Sequence, residues 1–132
     1  MNSFKRTVVG MTLLLATFSA LASEVVREFK GSRSLDTAEF EVEAPWVHEW
    51  RVSSEFANAL ALDVALIEAG TGIHQGNVLK TKNTGNGARL FDQSGRFFFR
   101  VNSTMANWML RIEQLTPAEA EDYTPKIPGE AR

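Results

Sequence analysis

One device recurs through the chain: a large apolar side chain at every second position, with charged or polar residues between. In Thr37–Glu43, Phe40 and Val42 alternate with Glu39, Glu41 and Glu43. After Pro45, Trp46, His48, Trp50 and Val52 alternate with Val47, Glu49 and Arg51. Leu60, Leu62, Val64 and Leu66 form a third row. Phe97, Phe99 and Val101 form a fourth, with Phe98 and Arg100 on the other face. Trp108, Leu110 and Ile112 form a fifth, with Met109, Arg111 and Glu113 opposite. A period of two is that of a pleated strand, whose successive side chains point to opposite faces. Glu24–Lys30, Ile73–Lys82 and Ala88–Asp92 carry weaker versions of the pattern.

Glycine-rich turns separate these runs: Ala69–Gly72, Asn83–Gly87 and Gln93–Gly95. Short strands with such punctuation predict a single antiparallel β-sandwich of the jelly-roll or immunoglobulin-like class, with about seven or eight strands. A small β-barrel is the alternative closure of the same strands. One segment admits a helix and so an α+β fold. Ser54–Gly70 has a capping serine, an alanine-rich middle, a terminal glycine and a Phe56, Leu60, Val64, Ile67 stripe. The alternation from Leu60 to Leu66 favours the strand.

The ends differ from the body. Lys5 and Arg6 precede the apolar stretch Thr7–Phe18, and Ala20-Leu21-Ala22 places small residues where a signal peptidase reads. This predicts a cleaved secretory signal over residues 1–22. The stretch is shorter than the ~20 residues a helix needs to cross a bilayer. Removing it takes the formal net charge from -2 to -4. The expected domain is 23–115, soluble in the periplasm or outside the cell, with no stable membrane insertion. Residues 116–132 hold three of the four prolines and only two large apolar residues, Tyr123 and Ile127. They are expected to form a flexible acidic tail.

Composition limits function. There is no cysteine, which removes disulfides, thiolate metal sites, cysteine nucleophiles and a lipidated anchor. A mildly acidic chain lacks the concentrated basic surface that nucleic acid requires. Gly70-Thr71-Gly72-Ile73-His74-Gln75-Gly76 has the wrong spacing for a dinucleotide loop and no following helix. His48 and His74 are the only histidines, and neither has the spacing of a zinc site. His48 is expected as a hydrogen-bonded histidine at the edge of an aromatic core. No serine has a nucleophile-elbow setting. Glu39, Glu41 and Glu43 share a strand face with ~6.5–7 Å between neighbours. That spacing suits a solvated face balanced by Arg51, Arg100 or Arg111 better than a calcium site, which takes about six to eight oxygens. Asn102-Ser103-Thr104 fits a glycosylation sequon and is expected in a hairpin turn. Catalytic residues, metal ligands and cofactors are therefore expected to be none.

Trp46 and Trp50 are expected in the core, since filling it needs large residues. Val47, Phe98, Arg100, Met109 and Arg111 then face outward and form the candidate partner surface. The expected function is non-enzymatic binding of a protein or glycan at the cell envelope. A structural subunit pairing through a strand edge and a small hydrolase using Glu39 and Glu41 are the alternatives.

The order of these residues carries a resemblance. Gly31-Ser32, Thr37, Phe40, Val42, Pro45-Trp46 and Trp50 are followed by Gly95, Phe97, Phe99, Val101-Asn102, Trp108 and Ile112. Over Lys30–Leu115 this resembles small exported bacterial proteins of uncharacterised function with a β-sandwich body. The resemblance implies the sandwich and export, and brings no catalytic residues to transfer.

Overall fold

The computed structural model describes residues 24–123. The predicted signal lies outside the described residues, as does the end of the tail from residue 124. The chain forms two antiparallel sheets. The first holds β1 (Glu24–Gly31), β9 (Asn107–Gln114), β4 (Trp46–Ser53) and β7 (Gly85–Phe91), in that spatial order. The second runs β2 (Leu35–Asp36), β8 (Gly95–Thr104), β5 (Ala61–Glu68), β6 (His74–Thr81), with β3 (Phe40–Val42) also on β8. Each sheet has open edges, so the barrel closure is not adopted.

β2 and β3 are one interrupted strand. Between them Thr37 keeps hold of β8: its N–H donates to the Phe99 carbonyl at 2.9 Å, and its Oγ1 accepts the Phe99 N–H at 3.0 Å. Counting the two as one leaves eight strands whose pairing is a single ribbon. β1 pairs with β9, β2 and β3 with β8, β4 with β7, and β5 with β6. The ribbon curls so that β4 also meets β9 and β5 meets β8. That is jelly-roll connectivity.

The alternation dictates the layers. Phe40, Trp46, Val52, Leu62, Val64, Leu66, Phe97, Phe99, Val101, Trp108, Leu110 and Ile112 all point between the sheets and are buried. Trp46 stacks on Phe91 with ring centroids 4.4 Å apart, and its Nε1 donates to the Gln93 carbonyl at 2.8 Å. Trp50 is half-buried and packs against the same core. Within Ser54–Gly70 the strand prevails over the helix. Leu62, Val64 and Leu66 face the core while Ala65 and Ile67, on the other side of β5, are buried as well. Ser54 ends β4 by accepting the Phe56 N–H at 2.8 Å.

Two local expectations are corrected. Gly85–Gly87, read as turn, belongs to β7, because Gly87 is the ladder partner of Trp50 and only a hydrogen fits beneath that ring. Asn102-Ser103-Thr104 lies in β8, not in a turn; the turn begins at Met105. Of the expected tail, the structure describes residues 116–123. Thr116 and Glu119 form a reciprocal capping box on the short helix α1 (Pro117–Ala120), which has proline in its first turn. A 3-10 turn, Glu121–Tyr123, then packs against β7. No helix among the described residues is long and apolar enough to cross a membrane.

Candidate functional site

The histidines offer little chemistry. His48 is fully buried, 4.6 Å from the Phe99 ring and 5.3 Å from Trp50 by centroids. Neither of its ring nitrogens has a hydrogen-bond partner, contrary to the expected hydrogen-bonded histidine. It packs against the Trp50 and Phe99 rings between its ladder neighbours Arg89 and Ile112, and none of these side chains offers an acceptor. Burial, aided by the charge of Arg89, holds its pKa at about 3. The imidazole therefore stays neutral and serves as packing. His74 is exposed at the start of the edge strand β6. Ala69–Gly72 closes the β5–β6 hairpin, with the Gly72 N–H on the Glu68 carbonyl at 2.9 Å and positive φ at Gly70 and Gly72. Glu39, Glu41 and Glu43 are exposed. Glu39 lies 3.9 Å from Arg96 rather than near Arg51, Arg100 or Arg111.

The proposed partner surface is divided. Phe98 and Arg100 lie on the outer face of the second sheet, where the Arg100 guanidinium holds both oxygens of Asp36 at 3.0 and 3.1 Å. Val47, Met109 and Arg111 lie on the outer face of the first sheet. The parity that sends all five outward does not distinguish the two faces. Val47 is in addition fully buried, on the face where Tyr123 of the C-terminal turn reaches Glu49. These five residues cannot form one patch.

On that first face Arg111 is committed to structure. It lies 3.8 Å from Glu28, 3.5 Å from Glu49 and 3.6 Å from Glu113. Burial and the nearby Glu49 carboxylate push the Glu113 pKa up, against the opposing pull of Arg111. The Tyr123 hydroxyl donates to Glu49 at 3.4 Å, and burial with these carboxylates raises its pKa too, so it remains a donor.

The outer face of the second sheet is different. Asn102 on β8, Asp63 on β5 and Lys80 on β6 are direct ladder neighbours. One row toward the strand ends, Thr104 faces Ala61, and Lys82 follows β6 on the same side. Ala61 is short among longer neighbours, and a cleft of about 570 Å³ opens there, bounded also by Ser34, Thr81 and Ser103. Ser34 pins the β1–β2 loop to its rim by accepting the Ser103 N–H at 2.8 Å. The side chains of Asp63, Lys80, Lys82, Asn102 and Thr104 make no hydrogen bond or ion pair among the described residues. Strands lie ~4.8 Å apart and same-face residues ~6.6 Å apart. The floor is thus about one to two sugar rings in extent.

Sequence reasoning missed this cleft. Its trace is a set of outward rows that are polar on β6 and β8 and small on β5: Lys80 and Lys82, Asn102 and Thr104, then Ala61. No family model matches the chain, and no curated protein matches it significantly.

Proposed function

We propose that the protein is an exported, non-enzymatic binding module of the cell envelope whose ligand is a glycan held in the β5–β6–β8 cleft. One observation carries this reading: five polar side chains line a single hollow and none makes a hydrogen bond or ion pair among the described residues. A polar group at a protein surface ordinarily bonds to water. Clustered and preoriented on a rigid sheet, such groups can exchange that water for ligand hydroxyls at small entropic cost. The residue types favour a glycan over a protein. Protein interfaces are anchored by Trp, Tyr and Arg, and the cleft contains none of these.

Export rests on Lys5, Arg6, the apolar stretch and Ala20-Leu21-Ala22, and on the resemblance to small exported proteins. The non-enzymatic part rests on the histidines: His48 is sealed and neutral, and His74 has no partner side chain among the described residues.

Retention of the purified protein on immobilised envelope polysaccharides, read by affinity electrophoresis, tests the reading. The expected result is retention that weakens about tenfold in an Asn102→Ala, Thr104→Ala variant, as loss of hydrogen bonds worth ~1.4 kcal/mol implies. Absence of retention on every glycan, or retention indifferent to that variant, overturns it. Capture of an envelope protein through the same residues overturns the glycan assignment.

A further inference from the structure

We infer that the glycan is anionic, and that it lies with its charged substituent toward β6 and its hydroxyls toward β5 and β8. This rests on the cleft reading above and names the ligand class. Lys80 and Lys82 both line the β6 side of the cleft. Four other cations on these sheets face carboxylates: Lys30 has Glu28, Arg96 has Glu39, Arg100 has Asp36, and Arg111 has three. Arg27 and Arg89 reach the backbone carbonyls of Glu39 and Asn77, and Arg51, also without an ion pair among the described residues, lies on the other sheet. Lys80 and Lys82 have no carboxylate within ion-pair distance among the described residues, although Asp63 is the direct ladder neighbour of Lys80. Two free ammonium groups on one wall concentrate positive potential in a chain of net charge -2.

The other walls suit a sugar, not a bare anion. Asp63 accepts from hydroxyls and repels an anion placed at the centre, so the charge is directed to the lysine side. Asn102 and Thr104 donate and accept on the far side. The lining has no aromatic ring, so the flat apolar face of a neutral sugar finds nothing to stack on. Recognition then depends on charge and hydroxyl pattern together. Lysine acts as a point charge and does not separate carboxylate from sulfate, so the anionic sugar is the shared chemistry.

Polygalacturonate, dextran sulfate and neutral dextran, compared by affinity electrophoresis at low and high salt, provide the test. Retention on polygalacturonate, or on dextran sulfate, is expected to exceed that on dextran and to fall with salt. It should drop roughly tenfold or more in a Lys80→Gln, Lys82→Gln variant, by loss of charge-assisted bonds. Both lysines are exposed, so the variant should fold, which circular dichroism checks. Which of the two anionic polymers is held identifies the substituent. Equal retention on dextran, unchanged by the lysine variant and weakened by Asn102→Ala, Thr104→Ala, overturns the anionic assignment and leaves the cleft reading standing. Retention on dextran sulfate that survives Asp63→Ala and Asn102→Ala, Thr104→Ala is plain charge attraction and overturns the inference. Retention on none of the three overturns it as well; the wider envelope polysaccharides then decide whether the cleft reading survives.

Discussion

Gly87 on β7 lies flat beneath the indole of Trp50 on β4, so that a Cβ built there would stand 2.5 Å from Cζ2. Gly31 on β1 repeats the relationship with Trp108 on β9, again at 2.5 Å. In both pairs the glycine is the tryptophan's ladder partner. Each edge of the first sheet thus yields a side chain to let an inner-facing ring spread over its backbone. Gly87→Ala and Gly31→Ala are expected to destabilise the protein by about 1–3 kcal/mol, as overpacking does. Urea unfolding measures this. Adding Trp50→Leu to Gly87→Ala should recover part of the loss, and full additivity of the two changes would count against the contact.

His48 makes stability fall in acid. The unfolded chain titrates near 6.5 at this histidine and the fold near 3. Between those values the unfolded chain binds a proton that the fold refuses. The contribution of neutral His48 is therefore intact above 6.5 and declines as pH falls from there toward 3, by about 1.4 kcal/mol per pH unit at most. His48→Leu removes both the proton and two unsatisfied nitrogens. It should gain about 1 kcal/mol at neutral pH and flatten the acid limb of a melting-temperature profile. A variant with the parent's acid limb would refute the assignment.

Glu113 works in the opposite sense. Its pKa in the fold is raised above the ordinary 4.5, so its contribution is full below that value and is lost as pH rises through the raised one. Glu113→Gln keeps the side chain neutral throughout. The variant is expected to gain on the parent as pH moves from acid to neutral, by melting temperature in the His48→Leu background, where the histidine no longer contributes. A gap that narrows over that range would contradict the raised value.

Met105 opens the β8–β9 turn with φ of +54°, among the described residues the one non-glycine with positive φ. Its carbonyl accepts the Ser54 hydroxyl, tying the β4–β5 loop to the turn. Met105→Gly releases the backbone cost, on the order of 1 kcal/mol, of holding a side chain in the left-handed region. Thermal unfolding should show a modest rise in melting temperature. A fall would mean that the exposed methionine side chain is bound to the loop more strongly than the backbone is strained.

Much of the sandwich is legible along the chain because the pleat is local: Phe97, Phe99 and Val101 separate from Phe98 and Arg100 by parity alone. The order of strands is not local. β4 and β9 both carry inward rows that include tryptophan, and nothing within either says that they lie side by side. The same gap explains the divided surface. Parity correctly sends Phe98, Arg100, Met109 and Arg111 outward, but a sandwich has two outsides, and only the ribbon's curl assigns β8 and β9 to different ones. The cleft was hidden for a related reason. Asn102, Asp63 and Lys80 are far apart in sequence and come together only through register, while Ala61 marks the hollow by what it lacks.

The ribbon also sets an order of events. Its tip, the β5–β6 hairpin, needs only neighbouring residues, but each further pairing closes a longer loop, and the last joins β1 to β9. Such non-local closure is slow. A chain emerging in order from its N-terminus leaves β1 without its ladder partner until the residues of β9 are free. The first described strand must therefore wait for the last, and the first sheet stays without one of its edges until then.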